Sequence, residues 1–563
     1  MPALFSLART IRHRAAVLGC AAAAFSAVVS TPLPAAPIAF DVLELTVADA
    51  HAGFLSGRFT ARQLTQAYLD RIAAYDLQGP AIRCIVSVNP QALADADRLD
   101  AELARTGKLA GPLHGVPVLV KDEIDVAGMA TTQGTVVFKD YVTPLDAFVV
   151  GRLRAAGAII LAKTTLSEFA GGDTYSALTG HSRNPYALDR TVGGSSGGSG
   201  GALAANFGLL ALGEETSSPL KRPAAWGALA GLRPTPGLIS RTGMWDGHPV
   251  PTAQMGPMTR TVADLARLMD IMVGYDPEDP ITAFGLQHTP GTYTAYLDVN
   301  GLKGARIGVI REPIGSGSRP ESDDFKKVDA LFQKALADLQ AAGATVVDVK
   351  IPDLRELQAK RGGDPALTAE ALRVYLARNP NSSFKNQADI DAHPAMATSF
   401  KTTVAQYRAA HPESAAAGGV GYTGGRGRTG GRSADPARIL EGIRARERLL
   451  QNMARAMADA GVTALAYKAV EHQPTLIADA TTPPYKSNGG VVSLNTFLIH
   501  TPTITVPMGF TTDGIPAGLA FLGLPFSDAA LIKLAYAYEQ TTRHRRPPAS
   551  TPALPARATA GAQ

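Results

Sequence analysis

Apolar residues along the chain recur with two different spacings, which predicts that helices and strands alternate. Leu64, Tyr68 and Ile72 repeat at the spacing of one helix face, and Thr60 stands where the N-cap of that helix would lie. Residues 91–106 continue the helical pattern. The first part of the chain after the amino terminus is therefore predicted to be largely helical.

Short apolar runs between glycines and prolines predict buried strands further along the chain. The first run covers residues 116–120, and residues 147–166 have the pattern of a helix, a glycine turn and a second buried strand. Later strand-like runs lie at residues 305–312, 344–352, 462–467 and 501–510, and amphipathic helices lie at residues 323–343 and 435–461. Alternation of this kind predicts an α/β fold, in which helices cover a sheet.

The composition is that of a folded globular protein. Of the 563 residues, 45% are apolar and 18% are charged, which excludes a collagen, a coiled coil and a wholly disordered chain. The 54 basic and 49 acidic residues leave a formal net charge of +5, which is too small and too dispersed to indicate a nucleic-acid partner. Only Cys20 and Cys84 are present, so neither a disulfide framework nor a thiolate metal site is expected.

Residues 1–36 have the layout of a secretory signal peptide. Arg9, Arg12 and Arg14 precede an apolar run from residue 15 to residue 29, and a stretch of small residues and prolines follows. The run is shorter than the ~18 residues expected of a membrane-spanning helix, so no stable membrane insertion is expected. A buried amino-terminal helix is the alternative interpretation. We expect a secreted or periplasmic protein.

The rest of the chain is predicted to form one main domain over residues 37–545, with two segments that lack a core-forming pattern. Residues 414–435 are rich in glycine and are expected to form a flexible loop, because they cannot bury enough apolar surface to order themselves. Residues 546–563 are rich in proline and alanine and are expected to be a disordered tail.

A glycine- and serine-rich stretch at residues 191–201 carries the strongest chemical signal. Its glycines allow the backbone to approach a ligand closely, and Ser195, Ser196 and Ser199 lie between them. A flexible linker has a similar composition, but this stretch runs directly into an apolar helix-then-strand pattern that belongs in a core. The spacing of a phosphate-binding loop is absent. Serine-rich loops beside buried strands suit nucleophilic catalysis, provided that a base is available.

Lys121 is the candidate base. It ends the apolar run 116–120, so we expect its side chain to be desolvated, and desolvation of an ammonium favours the neutral amine that accepts a proton. A lysine at a strand end could instead reach solvent or pair with Asp122, Glu123 or Asp125. The spacing leaves both interpretations open, and the sequence alone does not bring Lys121 and the serines together.

Three segments, at residues 115–128, 193–213 and 231–241, resemble the amidase signature family, whose members hydrolyse amides with a Ser–cis-Ser–Lys triad. The resemblance covers nearly all of the chain after the signal-like segment. It implies the amidase signature fold, a large mixed β-sheet sandwiched between α-helices. It also implies that Lys121 acts as base and later as acid, and that Ser195 relays the proton from a cis peptide.

The nucleophile position departs from the family pattern. The family reads G-T-[DE]-T-G-G-S-I-R-x-P, whereas residues 213–223 read GEETSSPLKRP, so Pro219 stands where the attacking serine is expected. Proline has neither a hydroxyl nor a backbone N–H. In other hydrolases the loss of one oxyanion-hole donor costs ~10²–10³ in turnover. The substitution therefore bears on both the nucleophile and the oxyanion hole.

Three interpretations of the function remain open. In the first, Ser218 or Ser217 replaces the missing nucleophile after a one-residue shift of the loop. Thr216 and Ser217 could then offer backbone N–H groups to the oxyanion, and Ser196 supports the loop. In the second, Ser218 is an ordinary turn serine and the chain is a catalytically impaired binding protein. The third is the amidase component of a tRNA-dependent amidotransferase, which would need cytosolic partners and which the signal-like segment disfavours.

We expect an exported amidase that cleaves a linear amide bond of a small molecule through an acyl-enzyme. Its chemistry requires no cofactor. A metal site is not expected, because the histidines lack the spacing of zinc ligands; His114, His181 and His248 lie in or near the motifs, and His472 lies well beyond them.

Overall fold

The computed structural model describes residues 40–360, 364–412 and 435–555. The predicted signal peptide at residues 1–36 and residues 414–434 of the predicted flexible loop lie outside the described residues. Asp435, which ends that predicted loop, is the N-cap of the next helix, and its side chain accepts a hydrogen bond from Ala437 N at 3.0 Å. Export and the flexibility of residues 414–434 stay predictions.

Most strands in the described ranges belong to one mixed sheet. The strands are β1 (Ile85–Val88), β2 (Pro117–Lys121), β3 (Ile159–Thr164), β4 (Tyr175–Ser176), β5 (Gly180–His181), β6 (Arg183–Asn184), β7 (Ala187–Thr191), β8 (Leu210–Glu215), β9 (Ala230–Arg233), β10 (Gln254–Thr259), β11 (Arg306–Val309), β12 (Thr345–Asp348), β13 (Ala464–Lys468), β14 (Thr503–Phe510) and β15 (Pro516–Leu522). Within the described ranges, eleven of them form one sheet in the order β1-β3-β2-β8-β10-β9-β14-β15-β13-β11-β12. The pairs β4-β5 and β6-β7 stand apart from it.

The helices that accompany this sheet vary from one turn to seven. They are α1 (Val47–Leu55), α2 (Ala61–Tyr75), α3 (Ala92–Thr106), α4 (Phe148–Ala155), α5 (Gly197–Ala204), α6 (Lys221–Trp226), α7 (Val262–Met272), α8 (Thr282–Gly285), α9 (Asp323–Ala341), α10 (Leu354–Ala359), α11 (Pro365–Ala377), α12 (Gln387–Asp391), α13 (Phe400–Ala410), α14 (Pro436–Ala460), α15 (Ile477–Thr481) and α16 (Asp528–Thr542). None of the helices in the described ranges combines the length and the apolar character needed to cross a membrane.

The sequence patterns predicted most of these elements correctly. Thr60 is the N-cap of α2, and its hydroxyl accepts a hydrogen bond from Gln63 N at 3.2 Å. Every residue of β2, β3, β8 and β10 is buried, which requires that both faces of the sheet be covered. In the part of the sheet that contains β2, this strand runs parallel to both of its neighbours, β3 and β8. The predicted α/β fold with a large mixed sheet is confirmed.

The prediction of a disordered tail is wrong for residues 546–555. The guanidinium of Arg71, which is buried in α2, donates to the carbonyls of Thr551 and Pro552 at 2.8 and 2.7 Å. Tyr186 Oη donates to the carbonyl of Arg546 at 2.6 Å. A segment rich in proline and alanine has no core of its own, but its carbonyl groups can satisfy buried donors elsewhere. Residues 556–563 lie outside the described residues.

Replacement of Arg71 should destabilise the fold. The same guanidinium also donates to the carbonyls of Ala205 and Asn206 at 2.9 and 3.0 Å, so Arg71→Met leaves buried acceptors without a donor. We expect the free energy of unfolding, measured with denaturant, to fall by about 3 kcal/mol. Arg62→Met on the same helix is the control, because it removes only an exposed ion pair with Asp97 and should cost less than about 1 kcal/mol. Equal losses of unfolding free energy in the two variants would contradict a stabilising role for the contacts of Arg71, including those with Thr551 and Pro552.

Glu539 should make stability depend on pH. Burial raises the pKa of this carboxyl from 4.5 to about 7, although its Oε1 accepts a hydrogen bond from Val262 N at 2.8 Å. The folded state therefore binds the proton more tightly than the unfolded state, and stability is lost as the pH rises from 4.5 through 7. Glu539→Gln keeps the acceptor but does not ionise. When the pH is raised from 5 to 8, we expect the free energy of unfolding of the wild type to fall by about 2 kcal/mol relative to that of Glu539→Gln. Denaturant unfolding of both proteins at both pH values measures this difference.

Candidate active site

The lysine predicted as a base lies in the interior of the sheet. Lys121 is the last residue of β2, and it is fully buried because β2 lies between β3 and β8. Its Nζ donates a hydrogen bond to Ser195 Oγ at 2.8 Å. The structure therefore brings together the lysine and the serine that the sequence could pair only through the family resemblance.

Ser195 lies on a tight glycine loop between β7 and α5. The Gly194–Ser195 peptide is cis, and Gly193 has a φ of +76°, in the left-handed region that favours glycine. A Cβ at Gly194 would lie 2.5 Å from the carbonyl oxygen of Gly172, so a side chain there would clash with backbone. The carbonyl of Gly194 accepts a hydrogen bond from Arg222 at 2.5 Å. The close packing at Gly194 and its hydrogen bond to Arg222 fix the backbone that carries the Ser195 hydroxyl.

Arg222 is held in place by an ion pair. Its guanidinium lies 2.8 Å from Asp173 Oδ1, and Asp173 Oδ2 accepts a hydrogen bond from Thr191 Oγ1 at 3.1 Å. Both partners of the ion pair are buried. Arg222 therefore connects the loop of Ser195 to α6, the helix that follows the turn of Pro219.

The other serines of the glycine-rich stretch hold it against β8. Ser196 Oγ donates to the carbonyl of Glu214 at 3.0 Å and accepts from Glu214 N at 3.2 Å. Ser199 Oγ donates to the carbonyl of Leu212 at 2.8 Å and lies 2.8 Å from Thr164 Oγ1. Both hydroxyls are occupied by these contacts.

The turn at residues 216–220 packs against the loop of Ser195, since the carbonyl of Pro219 accepts a hydrogen bond from Ser196 N at 3.3 Å. Ser218 is buried, and its carbonyl accepts from Arg222 N at 2.9 Å. Among the described residues, no hydrogen bond joins the Ser218 hydroxyl to Ser195 or Lys121. Ser218 therefore lies beside the site, but its side chain is not connected to the predicted base.

The same turn offers backbone donors. Within the described part of the chain, the N–H groups of Ser217 and Ser218 have no hydrogen-bond acceptor. Free N–H groups on a turn beside a candidate nucleophile are suited to binding the oxyanion of an acyl-transfer intermediate. The sequence had suggested Thr216 and Ser217 for this role. Thr216 uses its hydroxyl to donate to Glu214 Oε1 at 2.7 Å.

Two carboxylates contact the candidate base. Glu123 Oε1 lies 2.7 Å and Glu214 Oε2 lies 3.2 Å from Lys121 Nζ, and both glutamates are buried. Pairing with Glu123 was one of the alternatives that the sequence left open, whereas Glu214 was missed. The only sequence signal was that Glu214 stands where the family pattern has threonine. An ion-paired ammonium donates hydrogen bonds, so Lys121 must release a proton before it can act as a base.

A second ion pair, between Lys221 and Glu215, supports the turn. Lys221 pairs with Glu215 and donates to Asn495 Oδ1 and, at 3.2 Å, to the carbonyl of Ser217. Glu215 Oε2 accepts the backbone N–H groups of Leu220 and Lys221 at 3.1 and 2.9 Å. Burial lowers the pKa of Lys221, and the charge of Glu215 opposes that effect. The turn therefore has a fixed backbone.

The histidines take part in contacts elsewhere in the fold. His114 Nδ1 accepts a hydrogen bond from Ala110 N at 3.0 Å, and His472 Nε2 accepts from Arg319 N at 2.9 Å. Burial lowers the pKa of His472 to about 4. In the ranges that the structure describes, no three His, Cys, Asp or Glu side chains are grouped as metal ligands would be.

Residues 63–532 match the family model described as Amidase. The chain belongs to the amidase family. Among solved structures, it is similar to the native peptide amidase of Stenotrophomonas maltophilia, with 34% identity and a TM-score of 0.74, over 90% of this chain and 98% of that one. The family and the fold predicted from the sequence are both confirmed.

The chain is also similar in sequence to two curated proteins. A glutamyl-tRNA(Gln) amidotransferase subunit of Thermosynechococcus vestitus is 32% identical over 509 residues, which cover 88% of this chain and 98% of that protein. A probable amidase of Arabidopsis thaliana is 31% identical over 527 residues, which cover 90% of this chain and 92% of that protein. The similarity to these relatives extends over nearly their whole length.

Proposed function

We propose that this protein hydrolyses a linear amide bond of a small molecule through an acyl-enzyme formed on a serine. The observation that carries the proposal is the 2.8 Å hydrogen bond between Lys121 Nζ and Ser195 Oγ, in a buried site beside a turn with free backbone N–H groups. The similarity to a peptide amidase and to a probable amidase supports amide C–N cleavage rather than another acyl transfer.

The proposed chemistry needs only groups that the chain supplies. A serine hydroxyl of the site loses its proton to Lys121 as its oxygen attacks the amide carbonyl. The N–H groups of Ser217 and Ser218 bind the resulting oxyanion. The C–N bond then breaks, the leaving amine takes the proton from Lys121, and water releases the acid by the reverse sequence. No step requires a metal ion or an organic cofactor.

The test is an assay of the purified protein on aryl amides, peptide amides and the matching esters. We expect release of amine and acid in equal amounts, and loss of turnover after treatment with a serine-directed fluorophosphonate. Turnover that the fluorophosphonate does not reduce would contradict the acyl-enzyme. Hydrolysis of the esters alone would contradict the assignment as an amidase.

A catalytically impaired binding protein is the second candidate function. Pro219 favours it because this residue supplies neither a hydroxyl nor a backbone N–H, and the ion pairs of Lys121 with Glu123 and Glu214 favour it because a paired ammonium is not a base. Calorimetry with the same peptide amides distinguishes the two functions. Binding of an amide without release of amine would favour the second candidate.

We also propose that the protein acts outside the cytoplasm, because residues 1–36 have the layout of a signal peptide. Export argues for an enzyme that acts alone rather than for a counterpart of the amidotransferase relative, whose name connects it with glutamyl-tRNA. Sequencing the amino terminus of the protein from its native host is the test. A mature protein that starts near residue 37 would support export, and a full-length cytosolic protein would contradict it.

A further inference from the structure

Position 219 is a proline, which has no hydroxyl. If this chain is an amidase, the hydroxyl of another residue must therefore attack the substrate. Five serines lie on the loop and turn that form the site; they are Ser195, Ser196, Ser199, Ser217 and Ser218. A serine nucleophile needs a base within hydrogen-bond distance of its hydroxyl and a hydroxyl that is not occupied by structural contacts. These two requirements separate the five serines.

Ser196 and Ser199 do not meet the second requirement, because structural contacts occupy their hydroxyls. Both hydroxyls donate to backbone carbonyls of β8, that of Ser196 at 3.0 Å and that of Ser199 at 2.8 Å. To attack a substrate, either hydroxyl would have to leave a buried carbonyl without a donor, which is costly. Their contacts hold the loop in position.

Ser217 and Ser218 fail the first requirement, because neither hydroxyl makes a hydrogen bond to the base in the described part of the chain. Among the described residues, no hydrogen bond connects either hydroxyl to Lys121 or to Ser195, which could otherwise relay the proton. The backbone of the turn is held by Lys221, which donates to the carbonyl of Ser217, and by Arg222 N, which donates to the carbonyl of Ser218. What these two residues offer the site is their backbone N–H groups.

Ser195 satisfies both requirements. Its hydroxyl lies 2.8 Å from Lys121 Nζ and makes no other hydrogen bond among the described residues. The turn with the free N–H groups is adjacent, because Ser196 N donates to the carbonyl of Pro219 at 3.3 Å. We infer that Ser195 is the nucleophile of this protein and that Lys121 is its base, which replaces the family's triad by a serine–lysine pair. The inference rests on the proposed amidase function.

Glu123 and Glu214 complete the proton balance. One proton of the Lys121 ammonium passes to one of these carboxylates, which leaves a neutral amine beside Ser195 Oγ. The amine takes the proton of Ser195 as the Oγ–C bond forms, and the carbonyl electrons move to the oxygen. When the oxyanion collapses, the C–N bond breaks and the leaving nitrogen takes the proton from Lys121. Water then cleaves the ester of Ser195, the serine regains its proton, and the carboxylate returns its own to Lys121.

Identification of the acylated residue tests this inference. The wild type, Ser195→Ala and Ser218→Ala are treated with a fluorophosphonate, digested and analysed by mass spectrometry, and turnover of a peptide amide is measured in parallel. We expect the label on Ser195 in the wild type and in Ser218→Ala, and neither label nor turnover in Ser195→Ala. Ser218→Ala removes only the hydroxyl and keeps the backbone N–H, so it isolates the side chain.

A second variant keeps the test informative if Ser195→Ala does not fold. Ser195→Cys retains a nucleophilic atom beside Lys121, whose positive charge favours the thiolate, and we expect iodoacetamide to alkylate position 195 faster than Cys84, because burial raises the pKa of the Cys84 thiol. A label on Ser218 in the wild type would overturn the inference while the proposed function stands. A wild type with neither label nor turnover would overturn both.

Discussion

Lys121→Arg is expected to lower kcat for amide hydrolysis by ~10³, because the contribution of general acid–base catalysis is of that order. Arginine keeps the positive charge that faces Glu123 and Glu214, so the buried carboxylates retain a partner. A guanidinium does not give up its proton in proteins and therefore cannot deprotonate Ser195. The measurements are kcat, the extent of fluorophosphonate labelling and the thermal midpoint of each variant.

Lys221→Arg is the matched control for this variant. Lys221 is equally buried, pairs with Glu215 and makes no contact with Ser195 in the described residues, and the family pattern has arginine at its position. We expect Lys221→Arg to remain folded and to keep most of the wild-type turnover. A Lys121→Arg variant that turns over as well as Lys221→Arg would show that no proton passes through Lys121.

The parts of the site that lie within single elements could be predicted from the sequence. The apolar run 116–120 indicated a buried strand, which the structure shows as β2, whereas the position of Lys121 at its end left burial and solvent exposure both open. The glycines around Ser195 indicated a backbone that can approach a ligand closely, and the structure shows Gly194 packed closely against the carbonyl of Gly172. Local spacing was enough to predict the strand, because the strand concerns residues that are neighbours in the chain, but it did not decide where the side chain of Lys121 lies.

The contact between Lys121 and Glu214 could not be predicted, because it depends on the pairing of two strands that are distant in the sequence. In β2 and β8, Val120 pairs with Leu212, so Lys121 and Glu214 both follow a paired residue by one or two positions. The position of residues 546–555 is a similar case, since the carbonyls of Thr551 and Pro552 bind Arg71, about 480 residues away. Composition describes what a segment can do alone and carries no information about such distant partners.

The family pattern and the structure lead to different candidates for the nucleophile. The pattern identified the position that normally attacks and therefore led to Ser218, the hydroxyl closest to it in sequence. The structure instead ranks the serines by contact with the base, and only Ser195 has that contact among the described residues. The proposal of Ser195 therefore rests on a hydrogen bond to Lys121, and the prediction of Ser218 rested on closeness in the chain to the lost serine.

Pro219→Ser is expected to raise kcat/KM by ~10²–10³, because it restores a backbone N–H to the turn and adds a hydroxyl at the family's nucleophile position. The carbonyl of residue 219 already accepts a hydrogen bond from Ser196 N, and a serine keeps that contact. Ser195 would then relay protons instead of attacking, so the fluorophosphonate label should move from position 195 to position 219.

Pro219→Ala separates the two effects, because it restores the N–H without a hydroxyl. We expect a smaller gain for Pro219→Ala than for Pro219→Ser, with the label still on Ser195. The ratio of kcat/KM between the two variants measures the contribution of the new hydroxyl alone. In the opposite outcome, kcat/KM rises equally in both variants and the label stays on Ser195 in both. A hydroxyl at position 219 then does not reach Ser195 or Lys121, and the chemistry of this site no longer depends on that position.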